Sequence, residues 1–288
     1  MNESPTLLIA TFVLAGTFNV VFPILLGWYI IRKRRTSWKL FGIGILTFIG
    51  SQVFHIPLLA ALTNGFKNGS LPAISVSFAP YFNAILLGLL AGLFEETARW
   101  VGYKLLKQKG NSLGVALTLG AGHGGIEAIT IGVVVLFTLV SMLSLRSIDS
   151  SSLPLAADQL AAAQQQMQTY FATPWHLPLA GAVERISALA LHISLSIMVW
   201  LSFAARKALW FWGAVLYHAE VDGLTVLAVS FGMATWTLEG LLVLVSFVML
   251  YLIYRIASRV ERQRQEKEQE MEHAPSSNEI HKQEVIEY

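Results

Sequence analysis

Long apolar runs recur along the chain at residues 6–31, 39–62, 75–104, 112–144, 178–203, 208–231 and 235–256, divided by short polar or basic stretches. Each is long enough to cross a hydrocarbon core of about 30 Å, which takes ~20 helical residues. The third and fourth exceed that length and are expected to extend past the bilayer or tilt within it. The stretch 145–177 breaks the rhythm. It holds Ser-Ser-Ser, then a helix-prone segment from Ala156 to Phe171 with a glutamine-rich face, then Pro174. That pattern predicts an external loop carrying a short helix on the surface. Beyond residue 257 charge replaces apolar character, which predicts a helical extension fraying into disorder. The expected organisation is an all-α polytopic membrane bundle of about seven transmembrane helices over 1–256, with the motif-bearing helices over about 75–231. A charged, partly disordered cytoplasmic tail follows over 257–288.

Composition agrees with that reading. Of 288 residues 55% are hydrophobic and 13% charged, about half the ~25% charge of a soluble domain, and no stretch is left over for one. Cysteine is absent, which excludes disulfide frameworks, thiolate metal sites and a Cys nucleophile. The N-terminus lacks the basic region and cleavage site of a secretory signal, so the first span is expected to persist in the mature protein. No repeat, phosphate-binding loop or nucleotide fingerprint occurs, and no nucleic-acid partner is expected.

Basic residues set the orientation. Arg32, Lys33, Arg34, Arg35 and Lys39, then Lys104, Lys107 and Lys109, then Arg206 and Lys207, and Arg255, Arg259, Arg262, Arg264, Lys267 and Lys282 fall on one side, against Lys67 and Arg146 on the other. Sixteen against two predicts an outside N-terminus and a cytoplasmic tail for a multi-pass cell-membrane protein.

Against this apolar background, charges inside the spans stand out, since each costs roughly 2.5–3.5 kcal/mol at the bilayer centre on insertion scales. The third span holds Glu95, Glu96 and Arg99, the fourth His123 and Glu127, the fifth Glu184, Arg185 and His192, and the sixth His218, Glu220 and Asp222. The pairs Glu95/Arg99, His123/Glu127 and His218/Asp222 are four apart and share a helix face. Counted from the nearest cytoplasmic Lys or Arg, Glu95 is nine residues in, His123 and His192 fourteen, and His218 eleven. At 1.5 Å per residue all four lie roughly 13–21 Å from the cytoplasmic boundary, so a single buried polar chamber is expected. Glu184 and Arg185 read as structural, as do His55 and Glu239, which have no partner at helical spacing. Gly120, Gly122, Gly124 and Gly125 around His123 are compatible with close helix packing or with access for an extended chain.

Several intramembrane chemistries are excluded. His123 is followed by Gly-Gly-Ile-Glu rather than the Glu-x-x-His of a zinc protease helix, no Gly-x-Ser-x-Gly nucleophile turn exists, Asp222 has no aspartate partner, and the last span has no lysine for a Schiff base. Glutamate with histidine remains. A carboxylate oriented by Arg99 and bonded to an imidazole can take a proton from water that attacks an amide; a second imidazole with a carboxylate can stabilise the oxyanion.

Glu95-Glu96-Thr-Ala-Arg99, then His123-Gly-Gly-Ile-Glu127, Glu184-Arg185 with His192, and His218-Ala-Glu-Val-Asp222 resemble, in order and at matched depth, the motifs of the YhfC family. These are bacterial membrane proteins regarded as intramembrane peptidases, related to the PrsW proteases and more distantly to the CAAX prenyl endopeptidases and their bacterial relatives. The resemblance covers about 90–225 and implies the bacterial plasma membrane as the location. It implies a glutamic-type intramembrane endopeptidase acting on a membrane-embedded or juxtamembrane protein or peptide. In that reading Glu95 or Glu96 is the base, His123 or His192 its partner, and His218 with Asp222 binds the oxyanion; no cofactor is required. The same resemblance leaves a metallopeptidase open, with Glu95, His123, His192, His218 and Asp222 as ligands for a divalent ion such as zinc. The chain departs from the prenyl endopeptidases, which have one more residue between Glu-Glu and Arg, and a Phe where Leu119 stands four residues before the histidine. A proton- or cation-coupled transporter using the same groups is the reading from another class, with no repeat or broken helix pair to favour it.

Overall fold

A computed structural model describes residues 5–106, 112–148 and 156–273. Among these residues every regular element is helical: α1 (Pro5–Arg34), α2 (Trp38–Lys67), α3 (Ala79–Leu106), α4 (Leu113–Ser147), α5 (Ala157–Phe171), α6 (Leu177–Ala204), α7 (Leu209–Ser230) and α8 (Thr235–His273). Seven of them coincide with the apolar runs, and α5 is the short helix expected in the 145–177 stretch. Lys107, Lys109, the Ser-Ser-Ser stretch and the tail beyond 273, including Lys282, lie outside the described residues.

Local chemistry explains the boundaries. Helix α3 begins four residues later than the apolar run, with Pro80 in its first turn, where a fixed φ and a missing N–H are harmless. The α4 start is capped by Ser112, whose Oγ accepts from Val115 N. Helices α1 and α6 end on Arg35 and Arg206 in left-handed conformation (φ 52° and 54°). There Thr36 N returns to Ile31 O and Lys207 N to Ser202 O, the closing bonds of Schellman caps. Helix α8 runs on past the apolar segment to His273, as the charged extension predicted.

Among the described residues, five helices (α1, α2, α4, α6 and α8) are long and apolar enough to cross a membrane. Helices α3 and α7, of 28 and 22 residues, carry Glu95, Glu96 and Arg99, and Glu220 and Asp222, within their apolar runs. The chain is a multi-pass membrane protein. Its broad outer surface is accordingly apolar, with Leu46, Phe54, Phe137 and Leu224 each more than half exposed.

Helix α6 is the hub, packing against α1, α3, α4, α7 and α8, and residues 189–201 of it are buried without interruption. The N-terminal half of α4 lies against it, and α3 pairs with α7. At the basic end of the bundle Arg34 of α1 donates to Tyr254 of α8, and Glu261 of α8 accepts from Leu113 N of α4 at 2.7 Å. These contacts bring the C-terminus of α1, the N-terminus of α4 and the far half of α8 to one end.

Candidate active site

The polar side chains of α3, α4, α6 and α7 that share one depth converge inside the bundle, whereas Glu220 of α7 is exposed on the outer surface between α3 and α7. Glu95, Glu96, Arg99, His123, Glu127, His192, His218 and Asp222 form one connected network. Glu95 Oε2 lies 3.0 Å from His123 Nε2, 3.8 Å from Arg99 Nη2 and 4.0 Å from His218 Nε2. Arg99 donates to Glu96 through Nη1 and to His192 Nδ1 through Nη2 at 2.6 Å. Glu96 Oε1 also meets His218 Nδ1 at 2.8 Å, and His218 Nε2 stands 3.4 Å from Asp222. Glu127 Oε2 closes the network on His192 Nε2 at 2.5 Å.

Helical spacing does not set every pair. His123 and Glu127 share a helix but not a bond; His123 pairs with Glu95 of α3, and Glu127 with His192 of α6. The packing of three helices decides the partners, and i,i+4 proximity does not. The spacing does hold for His218 with Asp222 and, at longer range, for Glu95 with Arg99.

Arginine can only donate, and this fixes the protons. His192 Nδ1 must accept from Arg99, so Nε2 carries the proton that goes to Glu127. On the other side, Thr47 of α2 donates its hydroxyl to Gly44 O at 2.7 Å and lies 2.9 Å from His123 Nδ1. Its hydroxyl proton is committed, so Nδ1–H of His123 donates to Thr47. In the neutral ring the lone pair is then on Nε2, facing the Glu95 carboxylate. Gln52 Nε2 donates to the other Glu95 oxygen at 3.2 Å.

Thr47 and Gln52 escaped the sequence reading because neutral polar residues in an apolar span carry little signal. Their nearness along α2, with Ser51 between, was the one available hint. Arg185 donates to Glu127 Oε1 at 2.6 Å and also to its neighbour Glu184, ion pairs that tie α6 to α4.

Glu96, Arg99 and His123 have no exposed surface, and Glu95, His192 and His218 are buried. A cavity of about 110 Å³ reaches the network, lined by Glu95, Glu127, His192, His218 and Asp222, with Glu184, Arg185 and Ser246 in its wall. Glu184 and Arg185 thus border the chamber. His55 remains apart, stacked on Phe94 with ring centroids 5.7 Å apart.

The glycines of α4 act in packing. A Cβ at Gly124 would stand 2.9 Å from His192 Cβ, and one at Gly120 would stand 2.8 Å from Ile193 Cα; at Gly122 it would collide with the Phe41 backbone. Their absence of side chains lets α4 approach α6 and α2 closely enough for His123 and His192 to lie with ring centroids 5.2 Å apart.

A divalent ion fits part of this network. Glu95, His123 and His192 each offer a ligand atom, and these atoms lie within 4.8 Å of one another; one carboxylate and two imidazoles form a zinc-type donor set. His123 is already oriented as a ligand, because its Nδ1–H is anchored on Thr47. Both nitrogens of His192 are engaged, by Arg99 and Glu127, so it would exchange one partner for the ion. His218 meets Glu96 through Nδ1 and Asp222 through Nε2, and neither His218 nor Asp222 belongs to that compact group.

The family described as YhfC intramembrane metalloprotease matches residues 18–243. A relative from Bacillus subtilis (strain 168), the uncharacterized membrane protein YhfC, is 28% identical over 215 residues, covering 72% of this chain and 79% of the relative. No solved structure matches the chain. The chain belongs to the YhfC family.

Proposed function

We propose that this YhfC-family protein is an intramembrane peptidase that hydrolyses a peptide bond of a membrane-associated protein or peptide, with a divalent ion held by Glu95, His123 and His192. One observation carries the reading: the His123 Nε2 lone pair and the Glu95 carboxylate face each other at 3.0 Å. Two acceptors so placed call for a shared proton or a cation, and the family's description as metalloproteases favours the cation. A bound zinc-type ion supplies Lewis acidity that activates water and polarises a carbonyl.

The protein's own groups do the rest. Glu127 is the ionisable group at the chamber with most access to the cavity after Asp222 and Glu184, its side chain 23% exposed. Held by Arg185 and His192, it is placed to take a proton from the attacking water. As the water oxygen bonds to the carbonyl carbon and the C–N bond breaks, that proton passes to the leaving amine. His218 donates Nδ1–H to Glu96 and, when protonated, presents Nε2–H beside Asp222 and Glu95 to the developing oxyanion. Arg99 and Glu96 form the buried frame that orients His218, and Arg99 would give up His192 Nδ1 to the ion while His192 Nε2–H stays on Glu127.

A metal-free, glutamic mechanism is the second reading, supported by the Arg99–His192 contact of 2.6 Å, which occupies one of the ligand nitrogens. In either case we infer that α3 and α7 also cross, giving seven spans, with the N-terminus outside and the basic end of the bundle cytoplasmic. Metal analysis of the purified protein separates the two mechanisms. Bound zinc or a similar ion at about one per chain, lost in His123→Ala, supports the first; an active protein free of metal removes it in favour of the second.

A further inference from the structure

Three apolar grooves run along the outer surface, and they differ in what they reach. The largest, about 850 Å³ between α2 and α3, has Thr47 and Ser51 in its lining. Another, of about 490 Å³, lies between α3 and α7. Neither shares a lining residue with the polar cavity. The third, of about 590 Å³ between α7 and α8, shares Val221, Thr225 and Leu242 with it. Helices α7 and α8 are consecutive, yet α7 packs on α3, α8 packs on α6, and the two make little contact with each other. Their separation opens a lateral path from the lipid-facing surface to the catalytic chamber. At its inner end stands Asp222, its side chain 40% exposed, beside His218.

We propose that the groove between α7 and α8 receives an apolar segment of the polypeptide substrate, sideways from the bilayer, and delivers the scissile amide to the Asp222–His218 end. The inference rests on the peptidase reading. The groove's two ends identify the occupant. Leu224, Leu241 and Val245 form apolar walls suited to hydrocarbon side chains. The inner end presents carboxylates and imidazoles, which a lipid tail would desolvate without returning a hydrogen bond. A polypeptide in extended form brings its own N–H and C=O groups to that end while its side chains fill the walls. The groove runs from the chamber toward the α7–α8 turn at Phe231 and Met233. The enzyme therefore selects apolar residues on the side of the scissile bond that lies toward that turn.

The absence of cysteine makes the test direct. A single thiol is introduced by Leu241→Cys in the α7–α8 groove or by Leu105→Cys in the α2–α3 groove, labelled with a fluorophore, and each full-length protein is placed in phosphatidylcholine vesicles. The added peptide is a leucine-rich segment of about 20 residues, long enough to span the hydrocarbon core, with a central Gly-Ser pair and a dark quencher. Saturable quenching at Leu241→Cys, at least about tenfold tighter than at Leu105→Cys and relieved by Thr225→Trp, is expected. Equal or stronger quenching at Leu105→Cys, or unsaturable quenching at both, overturns the proposal. Cleavage of the same peptide by the unlabelled protein is scored separately. Docking at Leu241→Cys without cleavage would leave the groove assignment standing and count against the peptidase reading; cleavage without docking there would do the reverse.

Discussion

Arg99 of α3 holds His192 of α6, with Nη2 2.6 Å from Nδ1, and through its other terminal nitrogen the same guanidinium holds Glu96. A planar fork can grip both at once, whereas an ammonium is a point charge. Arg99→Lys is therefore expected to fold but to lose most turnover. Arg99→Leu leaves Glu96 buried without its counter-charge and should cost about 3–5 kcal/mol of stability, most of it regained in the Arg99→Leu/Glu96→Leu double variant. Thermal unfolding in detergent checks the stabilities. Additive losses in the double variant would show that the two residues do not act as a pair.

Thr47 gives a test aimed at the ion rather than the reaction. Thr47→Val keeps the shape but removes the acceptor for His123 Nδ1–H. Loss of such a partner typically weakens metal binding about 10–100-fold, read as a lower chelator concentration needed to strip the ion. Thr47→Ser should behave as wild type.

Glu95 as a ligand and Glu127 as the proton carrier respond differently to loss of charge. Glu95→Gln is expected to lose both the ion and the activity. Glu127→Gln is expected to keep the ion and lose roughly 10²–10⁴-fold in turnover, the usual span for a general base. Metal content measured beside the rate of fragment release checks both. Loss of the ion in Glu127→Gln would move that residue into the ligand set.

Close packing around the chamber predicts contrasting glycine variants. Gly124→Ala places its Cβ 2.9 Å from His192 Cβ and should cost about 1–3 kcal/mol through overpacking. Gly50→Ala has nothing within 4 Å and should be neutral or stabilising by up to about 1 kcal/mol. Equal effects in thermal unfolding would contradict the packing described.

Much of this was legible from the chain alone, for identifiable reasons. Apolar runs of membrane length have few alternatives to a helix, so α1, α2, α4, α6, α7 and α8 fall close to the expected boundaries. The depth of Glu95, His123, His192 and His218 follows from rise per residue and basic helix ends, and the structure does bring them together. Partner choice was not legible. Which carboxylate meets which imidazole depends on the rotation and approach of α3, α4 and α6, set by contacts such as Gly120 on Ile193 and Gly124 on His192. The same holds for Arg185. Its neighbour Glu184 suggests a local surface pair, and only the crossing of α4 over α6 brings Glu127 to its guanidinium.

The most direct measurement of the central claim is profiling of newly formed protein N-termini in membranes from cells carrying wild type or Glu95→Gln at equal levels. One or more fragments present only with wild type are expected, each cut within or beside a membrane-spanning segment and flanked on one side by apolar residues. Identical sets of termini from the two strains would contradict the claim.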